Sequence, residues 1–503
     1  MKLFLAIALL ATPVLADTFG EWTYSVANGE ATITGYSGSG GAVVIPSEVN
    51  GIPVRKIGNE WPPVFGFPNN SITSLTIPQG ISIIGNHAIY GCTSLTNVSF
   101  PSTLSLIGEG AFQECSSLSQ VIIPNSVTII RGWAFNSCTS LNRLTLSSGL
   151  IKIEESTFQF CTSLTNIVIP NSVTHIGANA FLNNTALTNV TLNYGLKNIG
   201  PLAFKGSGIK SVSIPNSVTN ISDGAFWNCS SLTNVVLPNG LSWISSRTFE
   251  GCSSLLSILI PSGVTNIRDF AFANCSNLKS VSLPSTLESI WDSAFQDCTT
   301  LKSISLPNSI TYAGNSVFQN CTNLDGIVFH GNAPGLGGNW NNCPATIYRL
   351  STSSGWGSSF AGLSVVEVTS ENIDSNLDGI SDQRAISLGY DRLLSFFPLI
   401  SSLKINPVSG LFNQSQYDSN RVTGRNDVIN SPNSYSLYTT NQIQNLGIGG
   451  IMLNRNTNNL LVLNYQILQS SDLQNWSSYQ NNELVISNAP TNKMFLRVQA
   501  VGQ

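Results

Sequence analysis

A block of 23 residues recurs along this chain with little drift, and it constrains the fold more than any other feature. Its clearest copies are Cys115–Asn136 (CSSLSQVIIPNSVTIIRGWAFN), Cys161–Leu182 (CTSLTNIVIPNSVTHIGANAFL) and Cys298–Gln319 (CTTLKSISLPNSITYAGNSVFQ). The apolar residue ending each short strand falls at Ile77, Phe100, Ile123, Leu146, Ile169, Leu192, Ile214, Leu237, Ile260, Leu283, Leu306 and Phe329. Every step is 23 residues except the 22 between Leu192 and Ile214. Repetition at that length specifies a solenoid, in which each coil buries its apolar face only against its neighbours. Extended bodies of this kind usually bind and seldom perform chemistry.

One coil shows how the pattern works. Leu95 is separated by two polar residues from Val98, which alternates with Phe100, so a short strand turns one face inward. Pro101 cannot donate to a ladder and ends it. Leu104 and Ile107 start the return path, and Gly108 occupies the next corner. Arg131, Glu154, Ser245, Arg268 and Trp291 replace that glycine in other coils, so the corner needs no positive φ. Ala111-Phe112 then fills the back of the coil, most simply as a tight helical turn. About twelve coils stacked at ~4.8 Å make a rod or arc on the order of 55 Å long. Burying their apolar columns, at ~1.5–3 kcal/mol per large side chain, suffices to hold it.

The repeat C-x-x-L-x-x-V-x-I-P-x-x-V-x-x-I-G-x-x-A-F resembles the BspA-type leucine-rich repeat of secreted and surface proteins. Thr23 to Gly58 is similar to the N-terminal cap of such proteins, and Asn332 to Val368, with Ser354-Gly355-Trp356-Gly357, to the C-terminal cap. The resemblance spans roughly residues 20–368 and implies a mostly β leucine-rich-repeat solenoid with caps, engaged in adhesion or partner binding.

Nine of the ten cysteines share one repeat position: Cys92, Cys115, Cys138, Cys161, Cys229, Cys252, Cys275, Cys298 and Cys321. Disulfides between adjacent coils are one reading for an exported chain. A column of small buried thiols, packing and bonding weakly to the turn, is the other. The odd number, and Asn184 and Ser207 at the same position, favour the thiols. Cys343 lies in the cap without an obvious partner, and no histidine joins the column to suggest zinc.

The outward strand positions are rich in Thr, Asn and Ser. A ligand crossing this face would meet Asn97, Gln120, Arg143, Asn166, Asn189, Lys210, Asn234, Lys279 and Lys302. That makes a broad, weakly cationic surface for a protein or glycan; a merely solvated face would look similar. Trp133, Trp227, Trp243 and Trp291 fall at four different repeat positions, so no stacking strip of the kind that holds sugars is expected.

Only 10% of residues are charged, the formal net charge is −4, and no basic run points to nucleic acid. Residues 1–16 (MKLFLAIALLATPVLA) read as a signal peptide, too short in apolar length to span a bilayer. Its cleavage would remove Lys2 and leave a secreted or cell-surface chain near −5. Residues 17–70 are assigned to an N-terminal β cap and first irregular repeat, 71–330 to the solenoid, and 331–368 to the C-terminal cap. Residues 369–392 form an Asp/Asn-rich linker. There Asp374, Asn376, Asp378, Ile380 (through its carbonyl) and Asp382 follow the first part of an EF-hand-like calcium loop. Its twelfth position is Ala385 rather than a bidentate acid, so a shorter calcium loop or an ordinary Asp/Asn turn both fit. Residues 393–503 are expected to be a smaller mixed helical and β region with a β-rich end.

Catalysis finds little support. His87, His175 and His330 lie at different repeat positions, and there is no H-E-x-x-H, G-x-S-x-G or phosphate loop. A polysaccharide-degrading enzyme would gather acids and bases on neighbouring coils, whereas Glu154, Glu155, Asp223, Asp269 and Asp292 are scattered at corners, where a solvated charge is the default. The expectation is a binding protein with a protein ligand; a carbohydrate-binding or structural envelope role is the alternative.

Overall fold

The computed structural model describes residues 17–58 and 71–369, together with the backbone of strands Ile451–Arg455, Leu461–Gln469 and Ser477–Ile486. The chain divides into two compact units, Met1–Arg384 and Ala385–Gln503. The first is a mostly β solenoid of about 13 turns, one more than the sequence count, with no helix among its described residues.

Each coil contributes a front strand such as Asn97–Ser99 and a two-residue rear strand such as Leu106–Ile107. Within successive short sheets both pair in parallel with neighbouring coils: Gln120 lies opposite Asn97 and Arg143, and Leu106 opposite Ile83 and Ile129. Val98 points inward and is buried, while Asn97 and Ser99 face solvent. The proline after the strand turns the chain, and its carbonyl accepts the N–H three residues on, as in Pro124 to Val127 at 3.0 Å. Two coils have Ser147 or Asn193 there instead. Ser147 Oγ–H donates to the Val127 carbonyl (2.6 Å), and Asn193 Nδ2 to those of Pro170 and Val173.

The back of the coil is not helical. From Gly110 to Glu114, alternate N–H groups leave the coil: Gly110, Phe112 and Glu114 donate to the carbonyls of Gly132, Ala134 and Asn136 in the next coil. The intervening Ala111 and Gln113 donate three residues back, to Gly108 and Gly110. A helix would keep all these bonds to itself; splitting them links the coils on this side as the ladders do elsewhere. The alternation requires left-handed backbone twice per coil. Trp133 (φ 57°), Ser156 (53°), Leu202 (55°), Arg247 (58°) and Phe270 (56°) hold the first position, and Glu114 (62°), Phe160 (59°) and Asn274 (60°) the second. Each non-glycine residue so placed costs about 1–2 kcal/mol, offset by the bonds and burial around it. Gly108 itself has no positive φ, in line with its replaceability.

The interior is a set of files running along the solenoid. Ten phenylalanines from Phe112 to Phe318 stack at 5.2–5.6 Å between centroids. Phe100 of the first of these coils packs edge-on against Phe112 at 5.6 Å, and Trp340 closes the far end edge-on at 5.1 Å. The short coil loses its residue between Ser207 and Ile209, where both ladders shift to a 22-residue step (Asn189 opposite Ser211, Asn198 opposite Asn220). Only glycine fits between them: a Cβ on Gly208 would lie 2.2 Å from the Thr185 carbonyl oxygen.

At the N-terminal end, strand Glu30–Tyr36 pairs with Trp22–Ala27 and, in parallel, with Ile52–Ile57, which joins the rear ladder at Ile83–Ile84. Gly41–Val44 begins the front ladder. At the other end Thr346–Leu350 and Leu363–Val368 extend it, and Trp356 packs on Phe329 (4.8 Å) and Phe360 (5.2 Å). In the second unit the three described strands pair antiparallel in chain order. The helical elements expected there lie outside the described residues.

Candidate binding face

The front sheet places all nine predicted contact residues in solvent. Asn97, Gln120, Arg143, Asn166, Asn189 and Asn234 occupy one file of the ladder. The lysines occupy the file beside it. Lys210 follows Thr188 there, with Thr233, Leu256 and Lys279 on the succeeding coils and Lys302 beyond. The surface is thus amide-rich over its first coils and cationic over its later ones.

A third outward file is aliphatic on four of its coils. Ile122 (66% exposed), Val168 (64%), Val236 (51%) and Leu259 (69%) stand on it, paired with Thr145, Thr191, Ser213 and Ser282. Gln79, Asn97, Ser99, Phe100, Gln120 and Ile122 line an open groove of about 510 Å³ at its start.

The hydroxyls are less available than their exposure suggests. Thr96 Oγ1 donates to the Thr73 carbonyl (2.8 Å), Thr188 to Thr165 (3.3 Å) and Thr233 to Lys210 (3.0 Å), each 23 residues back. Ser105, Thr174 and Thr265 do the same beside the rear strands. These side chains double the ladder between coils, so they belong to the scaffold as much as to the surface.

The cysteine column consists of free, buried thiols. From Cys115 to Cys321 each Sγ–H of the column donates to the carbonyl of a residue in the preceding coil, usually a phenylalanine of the stack: Cys138 to Phe112 at 3.3 Å, Cys161 to Phe135 at 3.3 Å, Cys252 to Phe226 at 3.2 Å. Ser207 Oγ makes the same bond to Phe181 (3.1 Å), whereas Asn184 is fully buried with neither end of its amide bonded. Burial pushes the thiols of Cys161 and Cys229 up to about 12, which removes the thiolate and with it their reactivity. Cys343, also free, lies beside Cys321 at the end of the column.

Among the described residues no group of three His, Cys, Asp or Glu side chains could hold a metal ion. The loop Asp374, Asn376, Asp378, Ile380 and Asp382 lies outside them. Of the corner acids, Asp269 and Asp292 are not simply solvated. Their Oδ1 atoms accept the N–H of Asp292 (3.1 Å) and Asn315 (2.8 Å) in the next coil. The tryptophans also depart from expectation: Trp243 and Trp291 do not share a repeat position, yet both stand half-exposed on the same stretch of the rear ladder. Neither feature had a sequence signal, because both depend on contacts between coils.

Front ladder, rear ladder and repeating turn define a leucine-rich-repeat solenoid. The chain belongs to the BspA type leucine rich repeat family, whose model matches six copies over residues 63–188, 151–279 and 242–340. Among solved structures it is similar to a leucine-rich repeat protein from Bacteroides ovatus, at 23% identity over 70% of this chain and 100% of that one, with a TM-score of 0.57. A leucine rich cell surface protein from Faecalibacterium prausnitzii is 31% identical over 60% of this chain and 96% of its own, with a TM-score of 0.37. No curated protein matches the chain.

Proposed function

We propose that this chain is a secreted or cell-surface binding protein that takes a protein ligand across the front sheet. The carrying observation is the file of Ile122, Val168, Val236 and Leu259, exposed by half or more on a sheet face whose other outward positions are largely polar. Exposed aliphatics flanked by amides and lysines match the apolar core and polar rim of a protein interface. The cell-surface description of the Faecalibacterium prausnitzii relative and the signal-like residues 1–16 support the location. No helix among the described residues is long and apolar enough to cross a membrane.

The test is binding of the full chain to immobilised extracellular-matrix proteins, compared with the pairs Ile122→Asp/Val168→Asp and Val236→Asp/Leu259→Asp. Loss of binding on the order of tenfold or more at unchanged melting temperature supports the reading; full binding by both pairs overturns it. Asp374, Asn376, Asp378, Ile380 and Asp382 are proposed to bind calcium and stiffen the chain after the C-terminal cap. A melting temperature indifferent to chelator removes that assignment.

A further inference from the structure

Away from the front sheet, four consecutive rear strands carry an aromatic surface. Trp243, Asn266, Ser289 and Tyr312 lie abreast in parallel register on Trp243–Ile244, Asn266–Ile267, Ser289–Ile290 and Tyr312–Ala313. Two residues further along their coils stand Arg268 and Trp291, both exposed. Diagonal contacts tie the two rows together. The Arg268 guanidinium lies 5.0 Å from the Trp243 ring centre, and the Trp291 ring is tilted 5.4 Å from Tyr312. Trp291 Nε1–H points to Asn266 Oδ1 at 3.5 Å.

These contacts orient the rings without covering them: Trp243 remains 39% exposed and Trp291 43%. Other coils carry Asn198 and Asn220 at the first position and Ser222 and Ser245 at the second, so packing does not require indoles here. Flat apolar rings held in place beside a guanidinium, an amide and a hydroxyl suit a ligand with an apolar face and a hydrogen-bonding edge. The charge around them selects among such ligands. Arg268 stands against Asp269, Glu288 and Asp292, so the local field does not attract a polyanion. One face of Trp243 already holds a cation.

We propose that this flank is a binding site for a neutral glycan. The C–H faces of its sugars lie on Trp243 and Trp291, and its hydroxyls meet Arg268, Asn266 and Ser289. Trp243 and Tyr312 are three coils apart, roughly 14 Å at the ladder spacing, so the site takes a chain of sugars rather than one. The site is separate from the front sheet and does not depend on a protein ligand there.

The test is electrophoresis of the full chain through gels containing galactomannan, xyloglucan or β-glucan, with polygalacturonate as the anionic control. At least one neutral polymer retards the native chain. The Trp243→Asn/Trp291→Ser pair, which installs residues that other coils carry, weakens that retardation on the order of tenfold at unchanged melting temperature. The Ile122→Asp/Val168→Asp pair leaves it intact, which separates the two faces. Should the tryptophan pair melt early, Trp291→Ser alone is read against Trp291→Phe, which keeps a ring and much of the binding. Retardation by polygalacturonate alone, by no neutral polymer, or undiminished without the indoles overturns the proposal.

Discussion

Phe112, Phe135 and Phe158 stack inside the solenoid at 5.2 and 5.6 Å, while the outward positions of the same coils hold Ser99, Ile122 and Thr145. An interior side chain touches its own kind on either side at a spacing set by the backbone ladders. A change of size or polarity there is felt by two neighbours and has nowhere to relax. An outward side chain meets solvent and can vary coil by coil. Identity along a file therefore reports packing, and variation marks where recognition can be written. The Ser and Thr hydroxyls that bond to the preceding coil show that exposure alone does not put a residue in the second group.

Three experiments probe how far interior and surface differ. The largest effect is expected from alkali. Cys161 and Cys229 are held neutral in the fold, raised from an ordinary 9.0 to about 12, and the other repeat thiols from Cys115 to Cys321 are raised in the same direction by burial. A raised folded value means the stabilisation is complete below pH 9.0 and is lost as pH climbs towards about 12, because the unfolded chain ionises first. Cys161 and Cys229 each lose on the order of 1 kcal/mol of stabilisation per pH unit in that window, and the other raised thiols add to the loss in the same direction. Cooperative loss of β-sheet circular dichroism should begin soon above pH 9.0; an unchanged spectrum at pH 12 would contradict the buried column.

Next in size is Phe204→Ala, which opens a gap between Phe181 and Phe226, 5.3 and 5.4 Å away. Denaturant melts should show a loss of about 3–5 kcal/mol. A loss as small as that of an outward substitution such as Ile122→Ser would erase the distinction between the files.

The smallest effect has the opposite sign. Asn184 sits in the cysteine column with an unbonded amide, so Asn184→Cys should stabilise the protein by about 1–2 kcal/mol. It removes the orphan and places a thiol 26 residues after Phe158, the spacing by which Cys138 and Cys161 reach their carbonyls. A lower melting temperature in the variant would show that the amide serves the short coil that follows.

Much of this was legible beforehand. Leu95, Val98, Leu104, Ile107, Ala111 and Phe112 were read as core from spacing alone, and all are buried. The free thiols and the hydrogen-bonding role of Ser207 followed from the same column. The helical turn at Ala111-Phe112 was the misreading. Ala-Phe between polar residues suits a helix locally, and only the carbonyls of Ala134 and Asn136 draw the N–H groups out of it. The candidate front-face residues lie outside as expected, and strand alternation already turns Ile122, Val168 and Val236 outward; the aromatic flank has no such signal. The flank joins residues from different repeat positions, which no single column of the repeat brings together.

The sequence by itself determined the period, the inward files and the strand that each proline ends. Burial of an apolar side chain is decided within one coil, and a 23-residue pattern states it once per coil. The tertiary structure alone decided which backbone residues turn left-handed, which hydroxyls are committed to the coil before, and which rings become diagonal neighbours. Those depend on how one coil sits over the next. Partners 20 to 26 residues apart meet only after stacking, so no single repeat contains the information.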